Sequence, residues 1–368
     1  MLKNVSIQAK KVAFLTSVHP AFDVRVFQKE AVSLARAGYD VTLIAPHEIV
    51  EIVEGVKILG LQKPQNRIAR MTKTAVELYK KALNIDADIY HFHDPELMPI
   101  GLKLRKKGKR VIFDIHEDTR QQIILKSYIP SGLRKLLSRA YASYEDYACR
   151  KFSALITPQE KMTEYYRQFN RTETVENFVD LTLYPKRTID FTKPVLLHAG
   201  GLSVDRGLYN MVNAAKCIKR DFLFYIAGGL GSHLDATSLQ PLTYLGYLNQ
   251  KEIVSVYGKS NIGIILYNNV GQYSMAGAVK CFEYMANTMP VIMPDFGQWV
   301  QFNEIHRCGI NVDVQNGQIV ADAVHYLINN PEKAREMGEN GRRWVEEKYS
   351  WQVAFKKLQI LYDEVMNG

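Results

Sequence analysis

Short runs of β-branched and aliphatic residues alternate with amphipathic stretches along all 368 residues, and this alternation constrains the fold more than any single motif. In the first half the runs are Val12 to Ser17, Val41 to Ala45, Val56 to Leu61, Ile89 to His93, Val111 to Ile115, Ala154 to Thr157 and Thr174 to Asn177. Between the first two, Val26, Phe27, Ala31, Leu34 and Ala35 recur at helical spacing until Gly38 ends the pattern. Strands that are apolar on both sides need cover on both faces, so the expected class is α/β with doubly wound, Rossmann-like parallel sheets. The second half repeats the rhythm in Val195 to Ala199, Phe222 to Ala227, Ile262 to Leu266 and Val291 to Met293, with helices expected from near Asp205, Asn249, Gly277 and Ile319.

Leu183 to Pro194 has no periodicity and two prolines, and reads as the connection between the halves. The expected organisation is a domain over residues 1–185, a second over 186–348, and a last helix over 349–368 returning to the first. Two such domains facing a central cleft would bring the C-terminal ends of both sets of strands to it, where ligands of open α/β sheets bind.

Several classes drop out early. No apolar stretch approaches the roughly 20 residues that span a bilayer, and the start MLKNVSIQAKKVAFLTS has no signal-peptide pattern, so a soluble cytoplasmic protein is expected. Cys149, Cys217, Cys281 and Cys308 have neither paired nor zinc-like spacing and are expected as reduced thiols. The net charge of +9 is unevenly placed: residues 101–150 carry twelve Lys and Arg against five Asp and Glu, densest from Lys103 to Arg110. Such a patch suits an anionic partner, whether nucleic acid, an acidic membrane surface or a phosphorylated substrate, or else is a solvated helix face. Nucleic acid is set aside, because no stacking motif or recognition helix accompanies the charge.

The chemistry-bearing residues gather at predicted strand ends. His19, Asp23 and Arg25 follow the first strand, His91, His93 and Asp94 the fourth, and His116 and Glu117 the fifth. His91, His93, Asp94, His116 and Glu117 are metal-competent types, but His91 and His93 are expected on different sides of their strand, one of them an interior histidine, so no metal is expected. In the second half Gly200 and Gly201 open a glycine-rich turn with Arg206 before a helix, a pattern that suits phosphate. Further on, a loop from Gly271 to Gly277, containing Ser274, leads to a helix bearing Lys280 and Glu283 on one face.

Taken in order, these motifs resemble the GT-B glycosyltransferases of retaining family four, the group that builds bacterial surface polysaccharides such as capsule and O-antigen. The resemblance rests on DVRVFQKEAVSLARAGYDVTLIAP (residues 23–46), DIYHFHDPELMPIGL (88–102), KRVIFDIHED (109–118), HAGGLSVDRGL (198–208), KCFEYMANTMPVIMPDFG (280–297) and EKYSWQVAFKKLQILYDEV (347–365). It implies a nucleotide-sugar donor bound through Gly200, Gly201, Arg206, Ser274, Lys280 and Glu283. Glu283 would take the ribose hydroxyls, and Arg206 would face the diphosphate. It implies catalytic roles for His116 and Arg206, and an acceptor held near His19, Asp23, Arg25, His93 and Asp94. The acceptor would be a glycan or a polyprenyl-pyrophosphate-linked sugar, with an anionic membrane surface as a further partner and with no cofactor.

The sequence departs from the family in two places. Met275 stands where the first glutamate of the E-x7-E pattern is usual, and Gly201 stands where an arginine faces the diphosphate. One of the two usual cations is therefore missing from its place. Sugar contacts are expected instead from the backbone of the Gly271 to Gly277 loop. Asp86-Ala-Asp88 matches the metal-binding DxD of other transferases but precedes a strand and reads as a solvated turn. A sugar-nucleotide epimerase of the same fold and a catalytically weak binding protein are the alternatives. Lys103 to Arg110, together with Ile123, Ile124, Leu125, Tyr128 and Ile129 in an expected loop, are the elements expected at the membrane.

Overall fold

The computed structural model describes residues 9–126, 129–231, 239–274 and 279–368. The chain divides into two compact units, Met1–Asn177 with Ala354–Gly368, and Phe178–Val353. The last helix, Trp351–Asn367, begins in the second unit and ends in the first.

In the first unit eight strands form one sheet: β1 (Lys11–Leu15), β2 (Asp40–Pro46), β3 (Val50–Val53), β4 (Val56–Leu61), β5 (Ile89–Phe92), β6 (Arg110–Asp114), β7 (Ala154–Thr157) and β8 (Thr172–Thr174). Their order is β3-β4-β2-β1-β5-β6-β7-β8, parallel throughout except for the β3–β4 hairpin. The central strands are apolar because both faces are covered, and Phe14, Tyr90, Phe92 and Phe113 are fully buried. The sequence pattern did not reveal β3, whose Val50 and Ile52 are exposed at the sheet edge, and it placed β8 two residues late.

In the second unit the strands are β9 (Val195–Ala199), β10 (Leu223–Ala227), β11 (Thr243–Tyr244), β12 (Ile262–Ile264), β13 (Val291–Pro294) and β14 (Gly309–Val312). They form an all-parallel sheet in the order β11-β10-β9-β12-β13-β14. The order reverses direction at β9, so the C-terminal end of β9 is a topological switch point. Gly200 and Gly228 close β9 and β10 with φ of 137° and 144°, and a Cβ on Gly228 would collide with the Gly200 carbonyl. Glycine is required there.

Helix ends follow local chemistry. Asn249 and Glu252 form a reciprocal capping box on Gln250–Lys259, and Asn316 caps Gly317–Asn329. The helix expected near Asp205 begins at Leu208, after Gly207 in the left-handed conformation. Residues 183–194 are not a free tether: Tyr184, Ile189 and Phe191 are buried in the core of the second unit. Cys149, Cys281 and Cys308 are buried free thiols.

Candidate functional sites

Three loops meet at the C-terminal ends of the neighbouring strands β1, β5 and β6. Thr16 and Ser17 leave β1 and donate to Asp94: Thr16 Oγ1 at 2.9 Å and the Ser17 amide at 2.6 Å, both to Oδ2. Asp94 is thereby buried as a brace between two loops. His19 Nε2 lies 3.6 Å from its other oxygen, and His19 Nδ1 lies 3.5 Å from Asp23. Burial works against the charged form of His19, but Asp23 and Asp94 outweigh it and raise its pKa. Asp23 also caps the next helical segment, Val24–Ala31, accepting from the amides of Arg25 and Val26.

Beneath these residues lies a buried charged cluster. Arg25 donates to Asp114 at 2.9 Å and sits 3.0 Å from Glu30, with all three side chains almost fully enclosed. Burial and the neighbouring Asp114 raise the Glu30 carboxyl well above its usual range, while Arg25 and His116, against the cost of burial, hold Asp114 well below. His91 and His93 share one side of β5 and stack at 4.6 Å between ring centroids. This corrects the expected alternation, since residues two apart on a strand face the same way. Burial lowers both histidines, His93 to about 4.

Glu30, His91, His93 and Asp114 place one potential ligand atom each within 4.8 Å of one another. A cation could be considered there, but Arg25 already bridges the two carboxylates. Arg25 answers the buried charge of Asp114, and the raised Glu30 carboxyl reduces the remaining negative charge there.

His116 stands on top of this cluster, its Nε2 3.2 Å from Asp114 Oδ2 and 3.1 Å from His93 Nδ1. It is partly exposed and lines a cavity of about 540 Å³ with His19, Arg67, Arg70, Met71, Ile123 and Tyr144. Of the residues expected around an acceptor, His19 and Asp23 are partly exposed, His93 and Asp94 are buried yet line the same cavity as His19, and Arg25 is buried beneath them; His116, expected to be catalytic, is partly exposed. Arg67, Arg70, Tyr141 and Tyr144 were not singled out from the sequence; they reach the cavity from helical segments remote in the chain, with no local motif to mark them.

The second unit gathers its polar groups around the end of β9. A cavity of about 230 Å³ is lined by Gly200, Gly201, Gly228, Gly229, Tyr247, Tyr257 and Glu283. Glu283 accepts from Tyr257 at 2.7 Å and from Tyr184 at 3.4 Å. Arg206, half-buried, donates to the Gly201 carbonyl and the Tyr273 hydroxyl, each at 3.3 Å. Lys280 is buried, its Nζ 3.3 Å from His198 Nε2 and 5.1 Å from the Tyr267 ring centre. Burial and the nearby Arg206 lower its pKa to about 7. Of Ser274, the backbone closes the turn Gly271–Ser274 while its side chain lies outside what is described, as do Met275 to Gly277 entirely.

Against known proteins, residues 24–183 match the family model Glycosyltransferase Family 4, and residues 209–359 match the model Glycosyl transferase-like. The chain belongs to the GT-B glycosyltransferases. Among curated proteins this family member is 25% identical over 183 residues to alpha-D-kanosaminyltransferase of Streptomyces kanamyceticus, covering 47% of this chain and 46% of that one. It is 24% identical over 174 residues to the capsular polysaccharide biosynthesis glycosyltransferase CapM of Staphylococcus aureus, 46% of each chain. The matched stretch thus spans about half the length of each of these relatives. Among solved structures, sucrose-phosphate synthase from Thermosynechococcus elongatus superimposes with a TM-score of 0.68 at 17% identity, over 98% of this chain and 100% of that one. Anabaena HepE, in complex with UDP and glucose, gives 0.65 at 12% identity, over 96% and 100%. At these identities the structural likeness speaks for the fold.

Two expectations about surfaces change. Ile123, Ile124 and Leu125 lie on a helix, Thr119–Leu125, not in a loop; Tyr128 lies outside the described residues. The Lys103 to Arg110 run stands where β6 begins, at the end of the sheet opposite His116, and is partly spent within the fold. Arg105 donates to the Lys151 and Lys109 carbonyls, Lys109 pairs with Asp86, and Arg110 donates to the Met366 carbonyl. At that same end of the sheet Asp88 accepts from the Lys11 amide.

Proposed function

We propose that the protein transfers a sugar from a nucleotide-diphosphate donor, held by the second unit, to a glycan or polyprenyl-pyrophosphate-linked acceptor held by the first. The observation that carries this reading is the pairing of two cations, Arg206 and Lys280, with the glycine turn at the end of β9, next to a cavity that holds the Glu283 carboxylate. Glu283 suits ribose hydroxyls, because its tyrosine partners orient it and leave lone pairs to accept from a diol. Tyr247, 83% exposed at the cavity rim, suits stacking on a nucleobase.

In the reaction the glycosidic carbon–oxygen bond to the diphosphate breaks as the acceptor oxygen bonds to the same carbon, and the leaving diphosphate gains negative charge. Arg206, Lys280 and the Gly201 amide would stabilise that charge, so the reaction would need no metal at the donor. Retention of configuration follows the family, with the leaving phosphate accepting the acceptor's proton. His116, oriented by Asp114 and His93, would contact the transferred sugar or the acceptor hydroxyl.

The acceptor cavity of the first unit combines Arg67, Lys126 and Arg70, the last paired with Glu96, with Met71, Met98 and Ile123, a mixture that suits a phosphorylated lipid. Beside it the helix Ser131–Cys149 exposes Leu133, Leu136, Leu137 and Tyr147 among Lys135 and Arg139. Peripheral attachment to an anionic membrane at the cytoplasmic face is therefore assigned to this helix rather than to the Lys103 to Arg110 run. A place in capsule, O-antigen or exopolysaccharide synthesis is supported by the relative named for capsular polysaccharide biosynthesis.

Incubation with a panel of UDP- and GDP-sugars, scoring transfer, hydrolysis and epimerisation separately, tests the reading. Transfer or slow hydrolysis of one donor is expected. Epimerisation without hydrolysis would assign the alternative.

A further inference from the structure

Gly201 stands where the family carries an arginine, yet the space beside the glycine turn is not short of charge. A Cβ on Gly201 would collide with the Arg206 guanidinium, and a Cβ on Gly200 would collide with Lys280 Nζ. Each glycine is thus a seat for one cation: one from the loop itself, the other from the helix Val279–Ala286. Among the described residues, Lys280 faces His198 on β9, Arg206 on the turn, Tyr267 beyond β12 and Glu283 on its own helix. Arg206 repels a charge on Lys280. The single carboxylate among these groups, Glu283, is already engaged by Tyr257 and Tyr184. His198 is fully buried and donates through Nδ1 to the Ile264 carbonyl at 2.9 Å, which leaves Nε2 as an acceptor for Lys280.

Resting on the donor reading above, we propose that Lys280 is the second cation of the diphosphate site, that it takes up one proton from solvent when the diphosphate binds, and that His198 is the residue that positions it. An enclosed amine beside another cation is favoured as the neutral form until an anion arrives. The arriving diphosphate reverses that preference, and the amine becomes an ammonium bonded to phosphate oxygen. The pKa of about 7 for unliganded Lys280 places the effect in an accessible window. The sign follows from linkage: below pH 7 the lysine is charged before binding and affinity is flat, and above it affinity falls as pH rises, because each binding event must draw a proton. A sugar-diphosphate diester has no titrating group in that window, so the dependence reports on the protein.

Calorimetry of the full chain with UDP-glucose and GDP-mannose, at pH 6 and pH 8 in buffers of different ionisation enthalpy, measures this directly. Uptake approaching one proton is expected at pH 8, and little at pH 6. Lys280→Met should abolish the uptake and weaken binding by about tenfold to a hundredfold, the usual range for a lost charge-assisted bond. That variant replaces a buried amine by an apolar group of similar length and should melt higher than the parent, so loss of binding is separable from unfolding. His198→Leu should move the midpoint of the pH profile downward, and His198→Gln, which restores an acceptor, should return it; a purely structural histidine would leave the midpoint in place. Binding without proton exchange at pH 8, or unchanged affinity in Lys280→Met, overturns the proposal and leaves the donor reading standing. Binding of neither nucleotide sugar overturns both.

Discussion

The two units treat the cations at their sites in opposite ways. In the first, Arg25 is enclosed between Asp114 and Glu30 and its charge is answered within the protein. In the second, Arg206 and Lys280 press on two glycines, and no ion pair is formed by either among the described residues. A compensated cation is scaffold, because its removal leaves a buried carboxylate behind. An uncompensated one carries a cost in the empty protein that is recovered only when an anion binds.

Substitutions can break that contrast. Arg25→Met should be the most damaging, costing about 3–5 kcal/mol in denaturant unfolding because Asp114 is left buried and unpaired. A small loss would mean that the cluster relaxes more readily than its packing indicates. Lys280→Met should go the other way, raising the melting temperature. Its folded pKa lies below the roughly 10.4 of an unfolded lysine, so the parent is penalised most below pH 7 and progressively less toward pH 10. The stabilisation by Lys280→Met should shrink over the same range, and a gain that ignores pH would indicate improved packing alone. Glu283→Ala should weaken nucleotide binding by about tenfold to a hundredfold, read by calorimetry, and should also cost about 1–3 kcal/mol of stability because the buried Tyr257 hydroxyl loses its acceptor. Unchanged binding would remove the ribose from that carboxylate. Tyr247→Ala should have the smallest effect, a loss of about fivefold to tenfold in nucleotide affinity for a stacking contact at an exposed rim.

Much of the framework can be read from local pattern. Continuous apolar runs marked the central strands because burial on both faces leaves no polar side, and Gly200, Gly201 and Arg206 were found because a turn entering a helix has a recognisable composition. What escaped was tertiary. β3 pairs only with β4 at an exposed edge, and the two residues of β11 pair only with β10; neither is long enough to show a period. Arg25 reads as a site residue until Asp114 and Glu30 are brought beside it, and Lys103 to Arg110 read as a free patch until Asp86 and backbone carbonyls take up part of its charge. The tyrosines holding Glu283 come from positions 184 and 257, far apart in the chain, with no spacing to betray them. Lys280 was singled out but its partner His198 was not, although a polar residue inside an apolar strand was an available signal, since a buried histidine needs partners on both ring nitrogens.

The central claim is that the cations left unanswered in the second unit await a diphosphate. It is tested most directly by titrating the full chain and Arg206→Met with UDP-glucose and GDP-mannose at pH 7. The account predicts that one of the two binds the parent at one molecule per chain and loses at least tenfold in affinity in the variant. Equal affinity in parent and variant, or no binding of either nucleotide sugar by the parent, would contradict it.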